Sequence, residues 1–323
     1  MKSTLIFGGV DGTSIEGDTK YAEVFRDSNV HRTYLNWNYG PKEYRRGPNV
    51  LDNREDISTA TSARAIRDFV VRHWGPYRRG PVHGKAVFLA GYSRGGAAVI
   101  ETCKFLKERD IPVECLILFD PVDRTLGVGG IFDTPICDNV RNVIHIIRSP
   151  AAASRESFGN CGKTRESWTK TKGASPVAFL GTHAAMGGTL WPDPPPGEVI
   201  NEGPPDGKTN ITADMDRVAF SQVRAYFQRE LRTVLDNCLA RMEREGRDVP
   251  DFQVTPVGGG SLPSTGQVKR YYVVKPGDWL SKIAQQYYGD PMKYDVIHKA
   301  NLSVIGPDAN VIKPNQRLEI PYI

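Results

Sequence analysis

The chain has 323 residues, a formal net charge of +5 and 24% charged residues, a length that allows one large domain and one small one. Its basic residues are scattered rather than clustered, which argues against a nucleic-acid-binding protein. No segment approaches the ~20 apolar residues of a membrane-spanning helix, and the start of the chain lacks the apolar core of a cleaved signal peptide.

The five cysteines are odd in number and widely spaced, and no Cys-x-x-Cys pair suggests a zinc site. They predict reduced thiols in a protein made in the cytosol, with Cys103, Cys115 and Cys238 buried. We expect no metal and no cofactor, since the sequence contains no visible ligand cluster for calcium or zinc.

The first 84 residues alternate between apolar segments and segments rich in glycine and proline. Apolar spacing predicts strands and helices, whereas glycine and proline predict loops. The predicted elements are a strand at 4–7, a glycine-rich loop at 8–13, a helix at 21–25, a strand at 30–37, a loop at 38–53 near the mouth of any site, a helix at 58–73 and a connector at 76–84.

The next segment predicts a strand, a sharp turn and a helix. The strand runs from Lys85 to Ala90, and small residues open the helix. Between them lies Gly91-Tyr92-Ser93-Arg94-Gly95, a Gly-x-Ser-x-Gly motif. A serine on such a strained turn projects its hydroxyl from the sheet, while the glycines let strand and helix pass closely. A glycine-rich turn with a capping serine is the alternative interpretation.

Backbone amides beside such a serine form an oxyanion hole, which stabilises the negative oxygen of an acyl-transfer intermediate. The Arg94 amide would be one donor, strengthened by the partial positive charge of the helix N-terminus. Gly9 or Val10, in the loop after the first strand, would supply the other. A turn held by the Asp11 side chain explains this loop equally well. A phosphate-binding loop fits less well, because no Gly-Lys-Ser/Thr follows.

Three more strands are predicted after the serine, at 113–119, 140–147 and 176–180. Strands that alternate with helices predict an α/β fold with a mostly parallel sheet and helices on both faces. Ligands bind such sheets at the carboxyl ends of the strands. Ser93, Asp120 and His183 all fall at such ends, so we expect them to lie close together.

A serine hydroxyl needs a base to take its proton, and the base needs a carboxylate to orient it. His183 is the one histidine that follows a strand after the serine and opens a glycine-rich loop, although a hydrogen-bonded loop histidine is the alternative. Asp120 is the first candidate for the carboxylate, with Asp123 and Glu156 in reserve. The more usual position, after the following strand, reads Arg148-Ser-Pro and has no aspartate. The chain order Ser, Asp, His is that of α/β hydrolases.

The remainder of the chain predicts a proline-rich surface loop at 191–208, for which a lid or substrate loop is the alternative interpretation. A long amphipathic helix at 213–245 and a linker at 249–268 follow. The linker is flexible at its three consecutive glycines and stiffer at its prolines. We therefore divide the chain into a first domain at 1–248, this linker and a small domain at 269–323.

Three short motifs resemble an α/β-hydrolase family long known as a domain of unknown function: Gly91-Tyr-Ser-Arg-Gly-Gly, Phe119-Asp-Pro-Val and His183-Ala-Ala-Met-Gly-Gly. That family includes phospholipase effectors of the bacterial type VI secretion system, and its early Asp-Gly-Thr loop is similar to Asp11-Gly-Thr here. Its members often have His-Ser-Asp where this chain has His-Ala-Ala. The resemblance implies Ser93 as nucleophile, His183 as base and hydrolysis of lipid esters.

Residues 270–323 closely resemble a LysM domain, because Val-Val-Lys-Pro-Gly-Asp-x-Leu-Ser-Lys-Ile-Ala and Ile-x-Pro-x-Gln-x-Leu-x-Ile-Pro both occur there. The resemblance implies two helices between two strands and binding of N-acetylglucosamine polymers, chiefly peptidoglycan. Trp279 replaces a common threonine and would stack on a sugar or weaken the fit. Docking to secretion or phage-tail-like machinery is the alternative role. The glycan-binding candidates are Gly277, Asp278, Trp279 and Ile305, with Asn301 and Gly306 beside them.

These features favour a serine esterase or lipase, of phospholipase or lysophospholipase type, that is held at the cell wall. An antibacterial effector of this kind would be made in the bacterial cytoplasm and reach the periplasm of a target cell without a cleaved signal. Its partners would include secretion machinery and an immunity protein. The alternatives are a LysM-anchored envelope or phage-tail-like component without chemistry, and an acyl transferase that excludes water.

Overall fold

A computed structural model of the chain divides into two compact units, Met1–Gly259 and Gly260–Ile323, which are described separately. The linker expected at 249–268 lies outside the described residues. Those are residues 3–13, 18–48, 58–76, 78–123, 135–167, 170–173, 176–192, 194–195, 197–246, 270–288 and 291–320.

The larger unit is built on a six-stranded sheet in which all neighbouring strands are parallel. Its strands are β1 (Thr4–Val10), β2 (Lys42–Arg45), β3 (Lys85–Tyr92), β4 (Val113–Phe119), β5 (Val140–Arg148) and β6 (Val177–Phe179). They lie in the order β2-β1-β3-β4-β5-β6. Every residue of β4 is buried, as expected for a central strand covered on both faces.

Helices cover both faces of this sheet. They are α1 (Asp18–Phe25), α2 (Asn29–Leu35), α3 (Thr59–Trp74), α4 (Arg94–Lys107), α5 (His183–Gly187) and α6 (Ala213–Arg244). One hydrophobic layer forms where α3 and α4 pack on the sheet, and the other joins α1, α2, α5 and α6 to the opposite face. The predicted α/β class, with a parallel sheet between two helical layers, is confirmed.

The strand predicted at 30–37 is wrong, because this segment forms α2. The helix begins after Ser28, whose Oγ accepts a hydrogen bond from the amide of His31 at 3.0 Å. A serine at this position satisfies an amide that the first helical turn leaves unpaired. Val30 faces the core while Leu35 is exposed, so the apolar residues serve a helix with one buried side. The loop predicted at 38–53 contains β2 instead.

A small antiparallel hairpin overlaps the segment predicted as a surface loop at 191–208. It consists of β7 (Val199–Asn201) and β8 (Lys208–Thr212), and Thr212 then caps α6. Ile200 and Ile211 of the hairpin are buried against Ala152, which follows β5. The hairpin therefore supports the chain segment that leaves the carboxyl end of β5.

In the described residues of the smaller unit, 270–288 and 291–320, two antiparallel strands occur with three short α-helices and a 3₁₀ turn at Pro291–Lys293. The strands and α-helices are β9 (Arg270–Val273), α7 (Leu280–Tyr288), α8 (Tyr294–Ala300), α9 (Leu302–Ile305) and β10 (Arg317–Ile320). Its core is formed by side chains from α7, α8 and β10, including Ile283, Ile297 and Leu318. The predicted strand–helix–helix–strand order is present, with α9 as an additional turn of helix.

Within the described ranges, no helix is both long and apolar enough to cross a membrane. The same residues contain no group of three histidine, cysteine or acidic side chains that could hold a metal ion. Cys103, Cys115 and Cys238 are buried free thiols, as predicted.

Candidate active site

Ser93 lies on a strained turn between β3 and α4. Its backbone has a φ of 54° and a ψ of −129°, a conformation that a side-chain-bearing residue rarely adopts. The flanking glycines make the turn possible, since a methyl group at Gly95 would lie 2.2 Å from the Val10 carbonyl oxygen. One at Gly91 would lie 2.4 Å from the Gly95 carbonyl oxygen. On a parallel sheet, this turn gives the α/β-hydrolase fold predicted from the sequence.

The three predicted side chains lie in one hydrogen-bonded row. His183 Nε2 is 3.0 Å from Ser93 Oγ, and His183 Nδ1 is 2.6 Å from Asp120 Oδ2. All three residues are buried. Ser93 follows β3, Asp120 follows β4 and His183 follows β6. Both distances lie within hydrogen-bonding reach, so the imidazole is placed to accept the serine proton while the carboxylate orients it.

Asp120 is fully buried but is held ionised by its partners. Its Oδ2 also accepts from Arg148 Nη1 at 2.6 Å, and its Oδ1 accepts from Asn160 Nδ2 at 2.6 Å and from the Arg148 amide at 3.2 Å. Burial raises the pKa of Asp120, but the hydrogen bond and charge of His183 and the charge of Arg148 outweigh it and leave that pKa below its ordinary value.

The two reserve candidates for the carboxylate occupy other positions. Glu156 is exposed in a short 3₁₀ turn, and Asp123 is half-buried and lies four residues beyond Phe119, the last residue of β4. Both ring nitrogens of His183 are already engaged by Ser93 and Asp120. The geometry therefore gives Asp120 the orienting position.

Side chains from other elements hold the backbone that carries His183. Its amide donates to Ser154 Oγ at 2.8 Å, and its carbonyl oxygen accepts from the Tyr92 hydroxyl at 3.2 Å. The preceding residue, Thr182, donates its amide to Asp216 Oδ1 at 2.7 Å and its hydroxyl to Asp216 Oδ2 at 3.0 Å. Burial raises the pKa of Asp216 to about 6.

The predicted oxyanion-hole residues are placed as follows. Arg94 is the first residue of α4, so its amide lies at the N-terminus of that helix beside Ser93. Gly9 and Val10 lie inside β1, which continues past the strand end predicted at residue 7 and pairs with a strand on each side. Thr13 follows the strand and lines the cavity in front of Ser93; its hydroxyl accepts from Arg94 Nε at 2.6 Å.

Asp11 anchors the turn between β1 and Thr13, as the alternative interpretation of that loop proposes. The carboxylate is fully buried and accepts hydrogen bonds from Ser28 Oγ, from the Tyr44 hydroxyl at 3.0 Å and from the Gly12 amide at 3.2 Å. Burial raises the pKa of Asp11 to about 7 despite these donors. Its side chain therefore shapes the turn next to the serine without facing the cavity.

A cavity of about 830 Å³ opens in front of Ser93 and His183. Its polar lining includes Thr13, Glu23, Arg94 and Arg155. Most of the remaining lining is apolar and comes from α1, from the segment after α5 and from the β7–β8 hairpin. The complete apolar lining consists of Val24, Phe25, Tyr92, Val122, Phe158, Ala184, Leu190, Trp191, Pro192, Pro204 and Pro205.

One wall of the cavity depends on Glu202, an acidic residue that the sequence analysis did not single out. Glu202 of the hairpin accepts from Ser154 Oγ at 2.8 Å and from the Arg155 amide at 2.7 Å. The Arg155 guanidinium then lies 5.2 Å from the ring centre of Phe158 and 5.3 Å from that of Trp191. The two contacts of Glu202 join residues 48 and 47 positions apart, and no local sequence pattern signals them.

The glycan-binding candidates of the smaller unit differ in their exposure. Trp279 is 58% exposed, with Lys282 Nζ 5.3 Å from its ring centre. Asp278 is turned inward and accepts from the Tyr272 hydroxyl at 2.6 Å, while Ile305 belongs to the core. Gly277 has a φ of +82° and forms the turn before Trp279. Trp279 is thus the candidate side chain that is available to a ligand.

Comparison with known proteins identifies the smaller unit. Residues 272–321 match the family model described as LysM domain. This segment is a LysM domain. Over 51 residues the chain is also 57% identical to an uncharacterized protein of Deinococcus radiodurans. That match covers 16% of this chain and 19% of the relative, so the chain spans about a fifth of the relative's length.

Several solved structures are distantly similar to the chain. An uncharacterized protein from Pseudomonas aeruginosa is 14% identical over 58% of this chain and 42% of that one, with a TM-score of 0.34. A cutinase-like protein from Cryptococcus sp. is 13% identical over 43% and 63%, with a TM-score of 0.24. The NocB thioesterase domain from the nocardicin cluster is 15% identical over 68% and 95%, with a TM-score of 0.30. With TM-scores this low, none of these structures supports a function for the larger unit.

Proposed function

We propose that the chain is a serine hydrolase of carboxylic esters, with lipid esters as its substrates. The observation that carries the proposal is the row Ser93–His183–Asp120, with contacts of 3.0 and 2.6 Å at the end of a parallel sheet. A strained serine turn, a base and an ionised acid are the three parts that acyl transfer through a serine requires.

The reaction follows from these contacts. Ser93 Oγ attacks the ester carbonyl carbon while His183 Nε2 takes the hydroxyl proton, and the carbonyl oxygen becomes negative. The Arg94 amide at the N-terminus of α4 stabilises this oxygen. Because Gly9 and Val10 lie inside β1, Thr13, which lines the cavity, replaces them as our candidate for the second donor. The bond to the leaving alcohol then breaks as His183 returns the proton to that alcohol's oxygen. Water, activated by the same base, attacks the acyl-serine and releases the carboxylic acid.

The entrance of the cavity supports a lipid as the acyl donor. Val24 and Leu190 line the cavity and are 52% and 44% exposed, on two different segments. Three prolines that also line the cavity, Pro192, Pro204 and Pro205, are exposed as well. Apolar side chains that surround a cavity mouth favour an apolar ligand or surface, because their exposure to water is otherwise unfavourable.

Phospholipid vesicles and a soluble short-chain ester together test this substrate class. We expect the chain to release fatty acid from the vesicles, and Val24→Asp or Leu190→Asp to slow this release by at least tenfold more than turnover of the soluble ester. Each apolar side chain contributes on the order of 1.5–3 kcal/mol when it is removed from water. Fatty-acid release and initial rates measure the two activities.

Leu35→Asp is the matched control, because Leu35 is 53% exposed on α2 and is not among the cavity-lining residues. Equal slowing by all three aspartate variants would contradict a role of the cavity mouth in lipid binding. Failure of the chain to cleave either ester would contradict the proposed hydrolase itself.

The LysM domain would hold the enzyme at peptidoglycan. We expect Trp279→Ala, made in the full chain, to weaken binding to insoluble peptidoglycan about tenfold, since a buried aromatic contact contributes on the order of 1–2 kcal/mol. Co-sedimentation at graded peptidoglycan concentrations measures the affinity. Met292→Ala is the control, because Met292 is 73% exposed in the same domain but is not among the glycan-binding candidates. Equal affinities of the two variants would count against the Trp279 site.

The pairing of a lipid esterase with a wall-binding domain suits an antibacterial effector of a secretion system. Such a protein would act in the periplasm of a target cell, where membrane lipids and peptidoglycan lie within reach of one chain. Secretion machinery and an immunity protein would be its protein partners. Their absence from a search for co-purifying proteins in the producing bacterium would count against this role.

A further inference from the structure

Arg148 is a buried arginine that contacts Asp120, the acid of the proposed site, through both its side chain and its backbone amide. It is the last residue of β5, the strand next to β4, which carries Asp120 at its end. Its Nη1 donates to Asp120 Oδ2 at 2.6 Å, and its own amide donates to Asp120 Oδ1 at 3.2 Å. The side chains of Arg148 and Asp120 are 7% and 0% exposed, so water does not screen this pair.

The same guanidinium also binds the chain segment that forms a cavity wall. Arg148 Nε donates to the carbonyl oxygen of Ser154 at 2.6 Å. Nη2 donates to the carbonyl oxygens of Arg155 at 2.8 Å and Gly159 at 3.1 Å. That segment carries Phe158 into the cavity, where its ring meets the His183 ring edge to face at 5.5 Å. One side chain therefore connects the acid to the wall beside the base.

We propose that Arg148 is a positioning residue of the proposed hydrolase. Its charge sets how strongly Asp120 stabilises protonated His183. Its guanidinium group, through the hydrogen bonds to Ser154, Arg155 and Gly159, holds the cavity wall in place beside Asp120 and His183. The inference rests on the proposed function. An arginine suits both tasks, because its planar group donates along several fixed directions at once. A lysine supplies the charge but only one donor position.

The charge part follows from the groups around His183. Asp120 alone would attract the imidazolium form of His183, whereas an Asp120–Arg148 pair is close to neutral and attracts it less. Removing the positive charge thus leaves Asp120 with an unbalanced negative charge, which stabilises the imidazolium form of His183 more strongly. The other titratable or charged groups near this row are Tyr92 from β3, His145 from β5, Arg155, Glu202 beside Ser154, and Asp216 beside Thr182. An Arg148 variant removes none of these groups, so the charge that the substitution changes is that of Arg148 itself.

The test is the pH dependence of kcat/KM for a soluble ester in Arg148→Gln and Arg148→Lys. For Arg148→Gln we expect the midpoint of the acidic limb to move up by about one pH unit, because an unpaired Asp120 favours the imidazolium. For Arg148→Lys we expect that midpoint to stay near its wild-type position. We expect kcat to fall about tenfold or more, because a lysine cannot make all the hydrogen bonds of the guanidinium group to the cavity wall. Circular dichroism and melting curves report the folded fraction.

Arg165 supplies the matched control, since it is also buried but donates to the carbonyl oxygens of Thr171 and Gly173, each at 3.1 Å. Arg165→Gln should leave the midpoint of the limb unchanged. A folded Arg148→Gln variant with an unmoved midpoint would overturn the charge role. If that variant does not fold, an Arg148→Lys variant with wild-type kcat overturns the inference. A wild-type chain without Ser93-dependent turnover would end the proposed function and this inference together.

Discussion

Replacing Ser93 with alanine is expected to lower kcat/KM for a soluble ester by about 10⁵-fold or more, because no other hydroxyl is placed against His183 Nε2 in the described site. The fold should remain, since the turn is held by backbone contacts: the Ser93 amide donates to the Phe119 carbonyl oxygen at 3.1 Å, and the Ser93 carbonyl oxygen accepts from the Val122 amide at 3.1 Å. Initial rates measure the loss.

Labelling with a fluorophosphonate, followed by mass spectrometry of the peptides, gives an independent readout of the same serine. We expect one label per chain on Ser93 and none in the alanine variant. Ser221→Ala is the control, because Ser221 is exposed on α6 and only donates to the Arg217 carbonyl oxygen. A chain whose Ser93 does not react and which cleaves no ester would instead be the non-catalytic LysM-anchored envelope or phage-tail-like component.

Replacing Asp120 with asparagine is expected to lower kcat by about 10⁴-fold. Both carboxylate oxygens of Asp120 accept hydrogen bonds, Oδ2 from His183 and Arg148 and Oδ1 from Asn160 and the Arg148 amide. An asparagine has one acceptor oxygen, so its NH2 group would face donors on one side. The imidazole then loses its orientation, and Arg148 loses its counter-charge in a buried position. Steady-state kinetics measure the loss, and a melting curve separates it from unfolding.

The other carboxylate candidates provide the matched comparison. Asp123→Asn and Glu156→Gln should change kcat by less than about threefold, because the two ring nitrogens of His183 already contact Ser93 and Asp120. A large loss in either of these variants, with Asp120→Asn close to wild type, would reassign the acid. The result therefore decides among all three carboxylates that the sequence leaves open.

The spatial meeting of Ser93, His183 and Asp120 could be predicted because each follows a strand whose apolar residues identify it. A parallel sheet brings the carboxyl ends of such strands to one edge, whatever their separation along the chain. The end of β1 was harder to place, because Gly8, Gly9 and Val10 favour a loop by composition but complete the strand by pairing on both sides. Tertiary pairing outweighs local preference at this position.

Contacts between distant side chains could not be predicted. Glu202 and Arg148 reach the site through hydrogen bonds whose donors and acceptors belong to different elements, and nothing in the neighbouring residues marks them. The helix at α2 was missed for a local reason, because β-branched and aromatic residues favour a strand when the capping role of Ser28 is overlooked.

Ser93 and the strand that bears Asp120 share backbone hydrogen bonds, whereas His183 is held by the side chains of Ser154, Tyr92 and, through Thr182, Asp216. Backbone hydrogen bonds therefore join the serine turn to the strand of the acid, whereas the backbone of the base is held by side chains from other elements. Amino-acid changes in Ser154 or Asp216 can tune the alignment of the imidazole without disturbing the serine turn. If sequences of this kind diverge, the rate of the proposed hydrolysis can thus change through the residues that support the base, while the architecture of the sheet stays constant.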